Sequence, residues 1–572
     1  MRTTLIRSAT ALVALSAMMA GCGGSDAGPA APQQKPAMLA AVVGSFGLTT
    51  DATFYTIDTG AGLVFKIRRF DDGASTRSAG DIASMVYNGV QYQDPSRGTQ
   101  VNSGFDFLYT GVSAVTVTAE SIGHDYVKVT VKGGNLTHYY IAKRGDPKIY
   151  MGTYFTTEPS TLNLVRFIAR IPINALPFSP QPSDLRGTTG TVESGDIFSL
   201  PNGETRSKHY SNMRLKDWKY IGATSNTAGV WIVRDNQEGG SGGPFYRSLL
   251  NQATSTNQEI TYIVNYGEAQ TEAYRFNRLN AYTMVFNDGT PPGAVDTSFF
   301  GSLDLLGYVG PAGRGAVAGG GITGRNTTHA YTVGFSNAGA QYWTDVDPVD
   351  GHFSSTGMLP GDYTMKVYKN ELEVDTRSVK VTAGATTPFA PFAIAADPSA
   401  APPLWRIGDF DGSPAEFLNG AKLTTMHPSD PRMSSWLTGD YTIGSSTPAQ
   451  FPAYQWKSVN GFVTIKFNLR KSQIAPLTLR AGITTAFAGG RPKAQINGWV
   501  SPNPAASAQP NSRTLTVGTY RGNNTMYSFN IPASELVVGE NVAYLSVISG
   551  SSGTTFLSPG YAVDAVDLIR TP

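Results

Sequence analysis

Arg206, Lys208 and Tyr210 alternate along the segment GETRSKHYSNMR, Gly203 to Arg214. On a strand alternate residues share a face, so these three would stand together while His209 turns away. Such a cationic row is what an anionic ligand needs, and a solvated basic edge is its ordinary, inert counterpart. Spacing alone leaves both readings open. Ser241, inside GGSGGPF (Gly239 to Phe245), could act as a nucleophile, but only with an upstream His and Asp held in order. A Gly-rich turn before a strand is the plainer account of that run. The six histidines, His124, His138, His209, His329, His352 and His427, show neither HExxH nor paired ligand spacing, which argues against a catalytic zinc. DFDG at Asp409 to Gly412 is only a fragment of a calcium loop and more often a plain turn; it leaves room for a structural calcium and no more, and no cofactor is required.

The elements that must hold these residues are strands. With 63 Gly, 35 Pro, 11% aromatic and only 15% charged residues, the composition suits short strands joined by turns and fits long helices poorly. Runs such as AVTVTA, YVKVTVKGG, HYYIAKR and EITYIV alternate as half-buried strands do. A chain of 572 residues exceeds one hydrophobic core, so several all-β domains are expected. Forty-four Lys and Arg stand against 42 Asp and Glu, a net charge of +2, which argues against a nucleic-acid partner. Any polyanion must therefore be met by a local basic cleft.

The N-terminus carries Arg2 and Arg7, an apolar stretch from Ala9 to Ala20, and then Gly21-Cys22. This reads as an export signal, with the sole cysteine, Cys22, as a bacterial lipoprotein anchor. Residues 1–22 would be the signal and 23–37 a flexible Gly/Pro/Ala/Gln tether; membrane contact would come through the lipid alone. A large β-sandwich is expected over 38–300. A Gly-rich passage then opens a smaller sandwich over 301–398, and an Ala/Pro stretch leads to a third unit over 399–572.

Several ordered segments carry a resemblance. VRFIAR (Val165 to Arg170), GETRSKHYSNMR, GGSGGPF, GEAQTEAYR (Gly267 to Arg275), LWRIGDFDGSPAEFLN and MHPSDPRMSSW resemble the rhamnogalacturonan lyases of polysaccharide lyase family 4, from the tether almost to the end. GGSGGPF, which by itself also resembles the nucleophile segment of chymotrypsin-like proteases, then becomes a landmark of that family. The resemblance implies an N-terminal catalytic β-sandwich, a fibronectin-type-III-like module and a C-terminal jelly-roll sandwich similar to carbohydrate-binding modules. It also implies a monomeric, exported enzyme acting on an acidic plant cell-wall polysaccharide, rhamnogalacturonan I, by β-elimination at galacturonate. A polymer-binding protein with impaired catalysis is the alternative on the same fold, and a serine protease using Ser241 a remote one.

That chemistry needs three groups: a cation on the substrate carboxylate, a base for the C5 proton, and an acid for the departing O4. The resemblance assigns Arg166 to the carboxylate, which a planar guanidinium can bind by two hydrogen bonds. It assigns Lys208 as base; an amine needs burial or a nearby cation for that role, and Arg206 could supply the charge. The chain departs from the family at the acid, because GEAQTE puts Glu268 where characterised members have histidine. Glu268 or a tyrosine could donate the proton. The family's sugar-contacting tyrosines fall on Thr261 and Ile263, leaving Tyr262 and Tyr266 as the nearby aromatic candidates. In the last unit, Trp405, Trp436, Trp456 and Trp499 could stack on sugars or fill a core.

Overall fold

The alternating runs fold as strands because one side chain in two finds a shared interior. Tyr126–Gly133 (YVKVTVKG) and Leu136–Lys143 pair antiparallel across a tight turn at Gly134, whose φ of 55° suits a residue without Cβ. In this computed structural model the described residues are 45–571, except 72–76, 102–114, 158–163, 209–212, 248 and 267–270. Among them the secondary structure is β-strand and short 3-10 turns; the protein is all-β, as expected. Cys22 lies outside the described residues.

Three sheets surround the first core. A meander runs from Gly47–Thr50 to Val90–Gln91. A seven-stranded sheet has the order 220–224, 229–234, 280–287, 148–155, 136–143, 126–133, 116–122. A four-stranded sheet has the order 249–253, 257–266, 164–172, 100–101. Ile57 and Phe65 of the first sheet, Val129 and Met284 of the second, and Phe167 and Ile260 of the third meet in one core with Trp218. Each such side chain contributes on the order of 2 kcal/mol when removed from water.

A second core gathers Val317, Val333, Phe335, Met365, Val367 and Val374, between sheets built from residues 315–389. A third fills the space between two five-stranded sheets. One holds Pro403–Gly408, Leu477–Phe487 and Gly560–Arg570; the other holds Phe462–Leu469, Arg491–Ile496 and Gly539–Ile548. Trp405, Trp436 and Trp456 are buried in that core and Trp499 packs against it. These indoles fill the sandwich, and Trp436 donates its Nε1–H to the Pro428 carbonyl.

Glu371, in the turn between Gly361–Lys369 and Leu372–Val381, joins the three regions. Its Oε1 accepts from Arg214 Nη1 (3.2 Å), Arg247 Nη2 (3.5 Å) and the Tyr520 hydroxyl (3.0 Å). Its carbonyl accepts from Arg521 and Asn524. One buried carboxylate thus faces cations from the first sandwich and hydrogen-bond donors from the last.

Candidate active site

Strand Leu164–Pro172 (LVRFIARIP) lies between 257–266 and 100–101 in the four-stranded sheet. Val165, Phe167, Ala169 and Ile171 point into the core, so Arg166, Ile168 and Arg170 stand on the opposite face. A register shift at Val165/Arg166 marks the start of that row. Arg170 is buried, pairs with Glu259 at 3.2 Å, and donates to the Gly98 carbonyl at 2.7 Å. Arg97 reaches the same Glu259 at 3.8 Å. Burial lowers Arg170 from its ordinary range, Glu259 opposes the shift, and the charges of Arg97 and Arg166 add to it. This face can therefore receive a carboxylate at Arg166, the most accessible member of its row, with two further guanidiniums behind it.

The facing strand, Asn257–Tyr266, corrects one expectation. Arg166 is registered with Ile263, Ile168 with Thr261 and Arg170 with Glu259, whereas Tyr262 opposes Phe167. Tyr262 is consequently 5% exposed, stacks on Tyr282 with ring centroids 4.2 Å apart, and belongs to the core. It does not share the Arg166 face. Thr261 and Ile263, where the family's tyrosines fall, do. Tyr266 ends the strand, but its side chain lies outside the described residues, as does all of Glu268.

Lys208 sits immediately beyond a small sheet of Gly190–Glu193, Ile197–Ser199 and Thr205–Ser207. The chain enters this sheet from Asp184, which bridges to Ala253 on the edge of the four-stranded sheet. Its first two strands turn at Ser194 (φ 51°) and Gly195 (φ 68°), with the Asp196 N–H donating to the Glu193 carbonyl at 3.0 Å. Ile197 pairs with Ser207, so the next residue, Lys208, arrives beside Asp196. Lys208 Nζ lies 2.5 Å from Asp196 Oδ1, and its side chain is 32% exposed. Its N–H donates to the Asp196 carbonyl.

Arg206, the expected charged neighbour of Lys208, has partners of its own. Arg206 is 8% exposed; its Nη1 binds the Thr205 carbonyl (3.1 Å) and Glu204 (3.5 Å). Its guanidinium is thus engaged within the sheet, with Glu204 beside its charge. The assigned strand ends at Ser207, and Lys208 follows it opposite Asp196. Tyr210 and His209 lie outside the described residues.

The C-terminal sandwich reaches this sheet directly. Asp430 Oδ2 accepts from the Thr205 N–H (2.6 Å) and hydroxyl (2.7 Å), and Arg432 binds Asp430 at 2.8 Å and Glu204 at 3.3 Å. Burial pushes the Asp430 carboxyl up, but hydrogen bonds from Arg432 and Thr205 outweigh it and hold the group below the ordinary carboxylate range. Arg513 spans the hairpin turn, binding Glu193 at 2.8 Å and Asp196 at 2.6 Å. His427 Nε2 lies 3.2 Å from the other Glu193 oxygen. None of these partners was legible as a site residue, because 225 residues separate Thr205 from Asp430 and 317 separate Asp196 from Arg513. The Ser-Gly turn was the single local signal for Asp196.

The other candidates fall elsewhere. Ser241 is 3% exposed in a loop tied to the middle unit by the Gly243 N–H, which donates to Gln341 (3.1 Å), and held within its own region by Arg275, which donates to the Gly240 carbonyl (2.7 Å). Among the described residues no histidine bonds its hydroxyl. His138 is buried beside Thr153, and burial lowers it to about 3. At DFDG, Asp411 accepts from Asn370 and the Ser413 N–H, while Asp564 accepts from the Asp411 and Gly412 N–H groups. Among the described residues no group of three or more His, Cys, Asp or Glu is arranged to hold a metal.

Family models match most of the chain in order. One described as rhamnogalacturonan lyase B, N-terminal, covers residues 46–307; polysaccharide lyase family 4 domain II covers 313–389, and domain III covers 403–568. A probable rhamnogalacturonate lyase A of Aspergillus terreus is 41% identical over 520 residues, 90% of this chain and 94% of its own. The rhamnogalacturonate lyases A of Emericella nidulans and Aspergillus aculeatus are each 40% identical over 529 residues, 92% of this chain and 96% of theirs. Matched in all three parts and this similar over nine-tenths of its length, the chain belongs to polysaccharide lyase family 4, the rhamnogalacturonate lyases, and is a polysaccharide lyase.

Proposed function

We propose that this lyase cleaves the rhamnogalacturonan I backbone by β-elimination at galacturonate. The observation that carries the reading is the half-buried Arg166 on an arginine-backed sheet face, in a chain whose relatives are named for rhamnogalacturonate. Arg166 would bind the uronate carboxylate and draw charge from C5. The Lys208 amine would take the C5 proton; the C5–H electron pair becomes the C4=C5 double bond as the C4–O4 bond breaks. Glu268 would return a proton to O4, in the place of the family's histidine. We further propose three functional parts, 38–300, 301–398 and 399–572, and export of the chain with a lipid on Cys22.

The test is ultraviolet absorbance of the conjugated uronate during incubation with the polymer. Wild type should generate it, and Lys208→Ala should reduce the rate about 10³-fold, within the range for removing a general base. Glu268→Gln should fall similarly and Glu268→His should recover activity. Binding of the polymer without any absorbance from wild type would refute the elimination.

A further inference from the structure

The salt-bridge chain behind Lys208 crosses from one sandwich to another. Lysine has a four-carbon stem, and holding its amine in one place costs about 2 kcal/mol of rotamer freedom. A base misplaced by about 1 Å can cost 10²-fold in rate, so something must hold it. Among the described residues, the charged group on Lys208 Nζ is Asp196 Oδ1 at 2.5 Å. The second oxygen of Asp196 is taken by Arg513 Nη2 at 2.6 Å, and Arg513 Nη1 grips Glu193 at 2.8 Å. The guanidinium fork therefore clasps both ends of the Ser194–Gly195 turn. Glu193 is in turn held by the Thr516 hydroxyl (3.3 Å) and His427 (3.2 Å). Asp430 pins Thr205, three residues before Lys208.

Two consequences follow from this geometry. The carboxylate that orients Lys208 is itself oriented from the C-terminal sandwich. A lone carboxylate on an amine favours the charged ammonium, which cannot act as a base; a second cation on the same carboxylate offsets that influence. Arg513 thus supplies both the alignment and the compensating charge.

We propose that Asp196 and Arg513 are positioning residues for Lys208, so that the C-terminal sandwich completes the elimination site. This rests on Lys208 being the base.

The experiment measures kcat, KM and the pH dependence of kcat on rhamnogalacturonan I for the full chain and four variants, with thermal melts to verify folding. Arg513→Gln should lower kcat by roughly 10- to 100-fold, as loss of an orienting partner does elsewhere, with KM within about threefold. Its ascending pH limb should move to higher pH, because the positive charge that Arg513 places on Asp196 is then lost. Asp196→Asn should move that limb to lower pH and lower kcat about tenfold at its optimum. Arg513→Lys, which keeps the charge between Glu193, Asp196 and His427, should recover part of the rate. A contact that merely stabilised the fold would not shift the two limbs in opposite directions. If Lys208→Ala is inactive while Arg513→Gln and Asp196→Asn keep kcat and unmoved limbs, the inference is overturned and the base assignment survives. If Lys208→Ala stays active, the base assignment falls and the inference with it. Should Arg513→Gln fail to fold, Asp196→Asn decides, since it preserves volume and one of the two accepting oxygens; an unmoved limb overturns the proposal.

Discussion

Replacing Glu371 by Gln removes one charge and almost no volume, at the point where the three cores adjoin. Glu371 is 1% exposed, and Arg247 beside it is 7% exposed. Arg214 keeps Asp217 when the carboxylate goes, so it is not left without an anion. Arg247 keeps the Tyr520 ring, 4.7 Å from its guanidinium, as its remaining favourable contact. Breaking a buried pair by removing one partner costs about 3–5 kcal/mol, because the other charge stays desolvated. The amide oxygen still accepts from Tyr520, so the lower end, about 3 kcal/mol, is expected for Glu371→Gln. That is roughly a 150-fold change in an equilibrium constant.

The assay is urea unfolding followed by tryptophan emission. Trp218 lies in the first core and Trp405, Trp436 and Trp456 in the third, so loosening of the junction reads out from both sides. Arg247→Met and the double variant complete a cycle. Each single change should lower the midpoint of the step in which the junction opens, and the double should cost at least about 2 kcal/mol less than their sum. Additive effects, or a Glu371→Gln midpoint equivalent to within about 0.5 kcal/mol of wild type, would refute the idea that this carboxylate neutralises Arg247.

Three further outcomes are expected. Burial pushes Asp235 up to about 7 against a hydrogen bond from Thr283. The folded carboxyl thus holds its proton more tightly than the unfolded one at ~3.9, so this group costs stability as pH rises from about 4 to 7; Asp235→Asn should raise the melting temperature at pH 8, by up to about 4 kcal/mol equivalent, and leave it unchanged at pH 4. Asp430 has the opposite sign: its lowered carboxyl contributes stability above ~3.9 that is lost as pH falls below, so Asp430→Asn should destabilise at pH 7 and converge with wild type in acid melts. Ser241→Ala should keep full lyase activity, whereas Gly242→Ala should lower stability by about 2 kcal/mol, because φ is +79° and a Cβ would lie 2.9 Å from the Tyr246 Cβ.

Much of the architecture was legible because strand alternation is a local property. YVKVTVKG and LVRFIARIP declare which residues face inward, and Arg166 and Arg170 emerge on one face whichever neighbours their strand acquires. Alternation also contained the correction to Tyr262. It must face away from Thr261 and Ile263, its immediate neighbours on the strand, and so lies near the Arg166 face in sequence but not in side-chain direction. Arg206 shows where alternation stops being informative. Alternation put it near Lys208, but the local pattern did not show that Glu204 would engage its guanidinium.

The sequence by itself thus determined the all-β class, the inward and outward faces, and the residue types able to bind a carboxylate and take a proton. Tertiary structure alone decided which charges meet. Asp196 reaches Lys208 through hairpin register, and Arg513 reaches Asp196 across 317 residues of chain. Side-chain direction is set by the backbone within two residues, whereas ion pairs form wherever packed surfaces bring opposite charges together. No local pattern encodes that distance.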